Sequence, residues 1–317
     1  EGLVDQSYDG GFSETTTASF GVDFVVGAVE SGTGLGTEKT TFDYQMGIGL
    51  ETSFTGEDSL GITIDIGGGE ANTSSDTTKQ TSVGAIMGLD ATQDVMTVDG
   101  VAYSFPLGGA TVLVGDNTDI SSVFTGACSY SAFTDYMSNC GTGNSLGVSG
   151  NGATAAASYA FDGGFSVAGG LSSSPDGILT KEGTDTFGLE AAYTADSYGV
   201  AVAYVDAQAT TYWGINGTYA FDFATISAGV ESEDTESAST KTGFFVGLSF
   251  PEVGAGSVEI GVATNGNFDD STAETYIYEA SYAYPVNDGM TITPGVYTKE
   301  KSGDDETGVI VKTSFSF

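Results

Sequence analysis

Residues 42–54 read FDYQMGIGLETSF, and apolar side chains alternate with polar ones along the stretch. Apolar residues fill the even positions from Phe42 to Phe54, with Thr52 as the exception, while polar residues and glycines fill the odd positions. A period of two over this length predicts a β-strand with one apolar and one polar face. In a soluble sheet a second layer would have to cover the apolar face. The question is what covers this one.

The composition limits the class of protein. The 317 residues suffice for one large β domain or two ordinary ones, and 39% of them are hydrophobic, which argues against disorder. Aspartate and glutamate number 43 against seven lysines, which gives a net charge of −36, and neither arginine nor histidine occurs. A chain this acidic lacks a basic surface to neutralise phosphates, so nucleic acid is excluded as a partner.

The alternation of residues 42–54 recurs along the whole chain. It predicts about 16 strands and no convincing helix. No run of 18 apolar residues occurs, so no transmembrane helix is predicted either. The predicted strands are 15–27, 41–54, 59–68, 93–106, 109–115, 146–161, 164–172, 184–194, 197–206, 209–221, 223–231, 241–250, 256–264, 274–284, 289–299 and 307–317.

The connections between these strands alternate in length. The short turns are 55–58, 107–109, 162–164, 195–197, 222, 251–256 and 285–288. The long loops are 28–40, 69–92, 116–145, 173–183, 232–240, 265–273 and 300–306, and only 207–208 is short among them. A soluble sandwich gives no reason for this order, whereas an outer-membrane barrel has short periplasmic turns and long external loops. The predicted fold is therefore an all-β, transmembrane, antiparallel up-and-down β-barrel.

Aromatic residues flank the predicted short turns. They are Phe54, Phe105, Phe161, Phe165, Tyr193, Tyr198, Phe221, Phe223, Phe250 and Tyr284. Ordinary hairpin packing would explain single instances, but repetition at most of the turns favours an interfacial girdle at the depth of the lipid headgroups. We expect lipid to cover the apolar face of residues 42–54.

Four stretches resemble the cyanobacterial major outer-membrane porins, a family often labelled OprB-like carbohydrate-selective porin or iron uptake porin. They are GVAYSFPLGGATVLVGD (100–116), SGNGATAAASYAFDGGFSVAGG (149–170), TYWGINGTYAFDFATISAG (211–229) and YEASYAYPVNDGMTITPGVYTKE (278–300). The terminal KTSFSF also resembles the end signal of bacterial outer-membrane barrels. The resemblance implies a 16-stranded, trimeric, water-filled diffusion channel that contacts lipid and lipopolysaccharide in the outer membrane of a Gram-negative-type bacterium, a cyanobacterium.

The resemblance covers the predicted barrel domain, residues 15–317, and leaves an N-terminal segment, residues 1–14. Family members usually carry a surface-layer-homology domain and a coiled coil that grip peptidoglycan. Residues 1–14 contain neither, so we do not expect this stretch to anchor the chain to peptidoglycan.

Catalytic motifs are absent from the sequence. Without histidine there is no Ser-His-Asp or Cys-His arrangement. GTGLGTEKT (32–40) faintly resembles a phosphate loop, but Glu38 stands where glycine must precede Lys39. We predict that the protein is not an enzyme.

Acidic clusters in the predicted loops have two interpretations. They are solvated loop tips, or they bind Ca²⁺ or Mg²⁺, since Ca²⁺ takes carboxylate and carbonyl oxygens in flexible loops. The clusters are EDTE at 233–236, Asp269 with Asp270, and Asp304 with Asp305 and Glu306. No other cofactor is predicted.

Cys128 and Cys140 are the only cysteines. In an exported, oxidised chain an even pair suggests one disulfide, although free thiols remain the alternative. Both lie in loop 116–145, the third long loop. In general porins the third external loop folds into the barrel and narrows it, and by this resemblance Asp116, Asp119 and Asp135 would lie near the constriction.

The sequence therefore predicts a passive, weakly selective porin for small ions and solutes. The polar positions that alternate with the apolar faces should line the pore. Only one of these residues is basic and the others are acidic, which predicts a preference for cations. The predicted pore-lining residues are Asp23, Asp43, Glu51, Asp65, Glu190, Glu259, Glu279 and Lys312.

Two other functions stay open. One is a barrel plugged by its loops that serves adhesion or acts as a surface receptor. The other is a specific sugar or iron uptake channel. A row of aromatic side chains along the lumen would favour a sugar channel, but only Phe245 and Tyr297 stand out as inward aromatics. A gated iron transporter needs a plug of about a hundred residues, which does not fit before residue 15.

Overall fold

The computed structural model describes residues 15–31, 39–68, 82–137, 152–180, 183–271 and 273–317. The predicted N-terminal segment, residues 1–14, lies outside these ranges. Within them the chain forms sixteen strands, a four-residue α-helix and 3₁₀ stretches at 120–123 and 135–137. The strands are β1 (Thr16–Ser31), β2 (Lys39–Thr52), β3 (Ser59–Gly67), β4 (Thr97–Leu107), β5 (Ala110–Asp116), β6 (Ala153–Ala160), β7 (Phe165–Ser173), β8 (Asp185–Thr194), β9 (Tyr198–Ala207), β10 (Thr210–Ala220), β11 (Thr225–Thr235), β12 (Lys241–Val253), β13 (Gly256–Thr264), β14 (Tyr276–Asn287), β15 (Met290–Lys299) and β16 (Glu306–Ser316).

The sheet closes on itself. Each strand pairs antiparallel with its neighbours in sequence, and β1 also pairs with β16, with Gly21 opposite Ser316. Closure leaves none of the sixteen strands with an unpaired edge. The prediction of an all-β, antiparallel up-and-down barrel is confirmed.

The period of two in the sequence becomes two faces of the barrel wall. In β1, Phe24 and Val26 are 38% and 41% exposed, whereas Val25 between them is 0% exposed. Val25 lies opposite Asp43 of β2 and Lys312 of β16, so these three side chains share the inward face. The apolar face of residues 42–54 therefore points outward, and no second protein layer covers it in the described chain.

Aromatic rings mark both ends of this outer face. At the short-turn end Phe165 contacts Tyr193, with ring centroids 4.7 Å apart, and Tyr193 contacts Tyr198 at 5.7 Å. At the opposite end Tyr204 contacts Trp213 at 4.7 Å. An apolar band between two aromatic girdles is typical of barrels that cross an outer membrane.

Connection length follows the predicted order with two exceptions. The turns that follow even-numbered strands have at most six residues, and one of them consists of Gly108 and Gly109, both at positive φ, as a two-residue hairpin loop requires. The connections that follow odd-numbered strands have six residues or more, except 208–209 and 236–240. The loop predicted at 232–240 is shorter than expected because residues 232–235 pair with β10 and belong to β11.

The turn between β2 and β3 is organised around one carboxylate. Asp58 Oδ1 accepts hydrogen bonds from the hydroxyls of Ser53 and Thr55 and from the amides of Phe54 and Thr55, and Oδ2 accepts one from Tyr103. The bond from Tyr103, followed by that from the Thr55 amide, holds the pKa of Asp58 well below its usual range.

The described part of the chain has almost no helix, as predicted, and what helix it has is short. Helix α1 (Val83–Ile86) follows β3, and its N-cap Ser82 accepts a hydrogen bond from the Ala85 amide at 3.2 Å. A 3₁₀-helix spans Ile120–Val123 after β5. Each has four residues, too few for a helical period to be visible in the sequence. No helix in the described ranges is long and apolar enough to cross a membrane.

Candidate functional site

The barrel interior is the candidate site, and the strand register determines which side chains reach it. All eight predicted pore-lining residues occupy inward register positions. Residues that lie directly opposite each other on paired strands point to the same face of the wall. Asp23 lies opposite Gln45 in this way, and Glu279 lies opposite Gly261. The inward positions are those of Asp23, Asp43, Glu51, Asp65, Glu190, Glu259, Glu279 and Lys312.

The sequence analysis missed several inward charges. Glu231 and Glu233 lie opposite Gly214 and Tyr212 in β10, and Glu306 opens β16 opposite Lys299. Glu231 ends a predicted strand but is missing from the predicted pore-lining set, whereas Glu233 and Glu306 lie just outside the predicted strand bounds. The alternation of Ile226, Ala228 and Val230 could have indicated Glu231, but positions 232 and 234 are polar, so no apolar alternation marks Glu233.

Residues 117–137 enter the barrel, and we call this segment the strap. Its 3₁₀-helix buries Ile120 and Val123 against the inward side chains Leu113, Ala156 and Val205. Farther along the strap, Ala127 packs on β8 and β9, and Ser129 donates its amide hydrogen to Ser227 Oγ of β11 at 3.1 Å. The strap thus leaves β5 and follows the inner wall past β11.

Glycines in the wall make room for the strap. A Cβ added at Gly247 would lie 2.4 Å from Tyr130 Cδ2, and one at Gly261 would lie 2.5 Å from the Tyr130 hydroxyl. Gly247 and Gly261 are directly opposed in β12 and β13. Any larger residue would push the ring toward the lumen, so these glycines let the strap lie flat against the wall.

Glu279 fixes the middle of the strap. Its Oε1 accepts hydrogen bonds from the Tyr130 hydroxyl at 2.8 Å and the Phe133 amide at 2.7 Å. Its Oε2 accepts bonds from the Thr134 amide at 2.9 Å and the Thr134 hydroxyl at 2.7 Å. Burial, followed by the charge of Glu279, raises the pKa of Tyr130, so the phenol remains a neutral donor.

Two more inward carboxylates fix the ends of the strap. Glu190 accepts from the Thr125 amide at 2.6 Å and the Gly126 amide at 3.1 Å. Glu306 accepts from the Tyr136 hydroxyl at 2.9 Å and from Lys301 at 2.5 Å. Glu190, Glu279 and Glu306 are therefore buried beneath the strap rather than open to water, which differs from a simple pore-lining position.

The three aspartates predicted near a constriction occupy different environments. Asp116 ends β5 opposite Val101, whose side chain is exposed on the outer face, so Asp116 points away from the lumen. The expectation for Asp116 is wrong because residue 115 holds the inward position. Asp119 precedes the 3₁₀-helix and lines a cavity of 410 Å³ with Thr63 of β3. Asp135 is exposed on the strap.

One of the two cysteines of the predicted disulfide lies within the described residues. Cys128 lies on the strap and is disulfide-bonded. Cys140 lies outside the described residues, so its pairing with Cys128 remains a prediction.

The acidic loop clusters have local partners. Asp269 accepts hydrogen bonds from the Ser271 amide and hydroxyl, and Asp305 accepts one from the Lys301 amide. Glu306 belongs to β16 rather than to a loop. Asp270 and Asp304 are exposed. Across the described ranges, no three His, Cys, Asp or Glu side chains are grouped so that they could hold a metal ion. Binding of Ca²⁺ or Mg²⁺ in these loops remains a prediction.

Geometry and register define a porin-type barrel of sixteen strands with a loop folded inside. Solved structures share this fold. A triple variant of the Rh. blastica porin superposes with a TM-score of 0.63 at 17% identity, and the match covers 95% of this chain and 100% of that one. A five-fold variant gives a TM-score of 0.62 at 15% identity over the same shares. A further structure, a Rhodopseudomonas blastica porin triple mutant, gives 0.60 at 15% identity. No protein-family model and no curated protein sequence matches this chain.

Proposed function

We propose that the protein is an outer-membrane porin, a water-filled channel through which small solutes and inorganic ions diffuse passively. The observation that carries the proposal is the distribution of side chains in a closed barrel, apolar outside between aromatic girdles and polar or charged inside. The likeness to the solved porins supports the same assignment at the level of the fold.

The size of the barrel favours an open lumen. Sixteen strands spaced about 4.8 Å apart and tilted by about 40° close into a barrel roughly 30 Å across its backbone, too wide for side chains to fill. The strap lies against the wall from β5 to β15, so its bulk narrows the bore from one side. A narrowed but continuous passage sieves solutes by size.

Cation preference follows from the inward charges. Among the described residues, Lys241 is paired with Glu233 at 3.3 Å and Lys299 lies over the Tyr136 ring at 3.8 Å. Lys312 is the lysine that faces the middle of the lumen, where Asp23 and Asp65 also point inward. Carboxylates confined by low-dielectric walls raise the local concentration of cations.

The structure favours diffusion over specific sugar uptake. Phe245 is fully buried against Tyr130, and Tyr297 is buried against Tyr136. Neither of these two rings is available to stack a sugar in the lumen. The described part of the strap likewise lies on the wall, which gives no support to a plugged adhesion barrel.

We further propose a homotrimer embedded in lipid and lipopolysaccharide. The wide exposed apolar outer face supports contact with lipid and with neighbouring copies. Cyanobacterial origin is supported by the four similar sequence stretches alone. Size-exclusion chromatography with light scattering in detergent would test the trimer, and a monomer mass would refute it.

The test of the channel is a planar-bilayer recording under a KCl gradient. We expect discrete conductance steps and a reversal potential on the cation-selective side. Asp23→Asn removes an inward charge and should reduce the K⁺/Cl⁻ permeability ratio. Asp196→Asn removes the same charge from an exposed turn and should leave it unchanged. Absence of conductance would refute the channel, and anion selectivity would refute the charge assignment.

A further inference from the structure

A second loop also enters the barrel. Helix α1 turns Val83 and Ile86 onto the inner wall, where both are fully buried against the inward side chains Val25, Val29 and Ile310. Removing two large apolar side chains from water stabilises this position, so the helix is held against the wall.

Hydrogen bonds to β2 set the position of this segment. The Gly84 amide donates to Asp43 Oδ2 at 2.8 Å, and the Val83 amide donates to Thr41 Oγ1 at 3.2 Å. A Cβ added at Gly84 would lie 2.9 Å from the Asp43 carboxylate. Asp43, predicted to line the pore, is instead buried as the acceptor that binds the start of the helix.

The second loop touches the strap. Phe133 of the strap belongs to the same buried cluster as Val83 and Ile86, and Tyr136 packs against that cluster. A Cβ at Gly88 would lie 3.0 Å from Asp135 Oδ1. The two loops therefore form one continuous layer on the inner wall, which extends the strap from β15 and β16 across β1 to β2.

The same loop places a carboxylate beside the polar face of β2. Gln45 Nε2 donates to Asp90 Oδ2 at 2.7 Å, and the Asp90 amide donates to Gln45 Oε1 at 3.2 Å. This pair of bonds fixes Asp90 beside the inward face of β2. Partial loss of hydration beside the wall, followed by the charge of Asp99, raises the pKa of Asp90, although the residue as a whole stays exposed. In the described chain neither Asp90 nor Asp99 takes part in an ion pair.

We propose that residues 82–92 form a second constriction element that narrows the passage beside the strap and places Asp90 on its cation-selecting wall. This inference rests on the proposed diffusion channel. None of the described loop residues covers the wall of β3 and β4 at Thr63 and Asp99, and both residues are exposed. Permeating ions then pass between this wall and the two loops, within reach of Asp90, and the loops together decide the size limit.

The charge part of the proposal has a matched control within the same loop. Asp90→Asn should lower the K⁺/Cl⁻ permeability ratio about two-fold at low salt, where the Debye length is long. Asp94→Asn removes the same charge, but Asp94 accepts a hydrogen bond from Tyr44, whose register position is on the outer face. We expect Asp94→Asn to leave the ratio unchanged. Equal ratios for Asp90→Asn and wild type would overturn the charge assignment.

The steric part is tested by Ile86→Asn, which places an amide in the apolar cluster and should release the helix from the wall. Since one chain layer is about 10 Å thick, we expect conductance to rise about 1.5- to 2-fold, with entry of larger neutral sugars. Replacement of residues 83–89 by a Gly-Ser linker should act in the same direction. Heat-modifiable migration on gels reports whether each variant is folded.

The outcomes separate the two proposals. A wild-type protein that conducts no ions refutes the diffusion channel itself. A conducting protein whose folded variants keep the wild-type conductance and sugar limit refutes the second constriction element alone, as does a fall in conductance. If Ile86→Asn and the linker variant both fail to fold, Asp90→Asn decides, because Asp90 is exposed and outside the apolar cluster.

Discussion

The anchor at Glu279 gives a prediction with a calculable size. Glu279→Gln keeps the shape of the side chain but replaces one acceptor oxygen by an NH₂ group. Two of the four strap donors, either the Tyr130 hydroxyl with the Phe133 amide or the pair from Thr134, then lack an acceptor. Each buried, unsatisfied donor costs about 1–3 kcal/mol, and a hydroxyl can rotate to a new partner, so we expect a loss of about 2–4 kcal/mol in strap anchoring.

Hydrogen exchange measures this loss directly. With a tenfold change for each 1.4 kcal/mol, opening of the strap should become roughly 30- to 1000-fold more frequent. Mass spectrometry of the protein in detergent would follow peptides that contain Phe133 and Thr134, and single-channel current noise should rise in parallel. Glu57→Gln, in the exposed turn after β2, is the control and should change neither quantity. Exchange within about three-fold of wild type in Glu279→Gln would refute the anchoring.

Three further perturbations test other parts of the structure. Gly247→Leu should displace Tyr130 into the lumen and lower conductance, and unchanged current would argue against the flat strap. Asp58→Asn should lower the melting temperature near pH 7; because the folded pKa is depressed, the difference from wild type should narrow as pH falls below about 4, where the unfolded carboxyl takes up its proton. A difference that persists unchanged to lower pH would contradict the role of the ionised carboxylate. Replacing Cys128 and Cys140 by serine should increase current noise with little effect on the melting temperature of the barrel. A lower melting temperature with unchanged noise would mean that the bridge stabilises the barrel rather than the loop.

The barrel could be predicted because its signals are local. Alternation along β2 or β12 requires only neighbouring residues, and turn length is read directly from the spacing between strands. The closure of the sheet into a barrel could be predicted as well. An apolar face that recurs along the whole chain needs lipid to cover it, and every strand needs a partner strand on each of its two edges. The ends of the strands were harder to predict, as Glu233 illustrates, because polar residues at the end of a strand resemble the start of a loop.

The contents of the barrel could not be predicted in the same way. Glu279 meets Thr134 across 145 positions in sequence, and Asp43 meets Gly84 across 41. Their parity correctly gives an inward direction, but only the folded loops reveal that they are buried acceptors. Helix α1 gave no sequence signal either, because its stability derives from Val25 and Ile310 of the wall rather than from a helical period.

The central claim is that the barrel holds an open, size-selective water path. Liposome swelling tests it most directly, with purified protein in vesicles and a series of neutral solutes from glycerol to trisaccharides. We predict swelling rates that fall steadily with solute size, stay proportional to the solute gradient, and do not depend on the stereochemistry of sugars of equal mass. No swelling with any solute, or saturable swelling with one sugar and not with its isomers, would contradict the account.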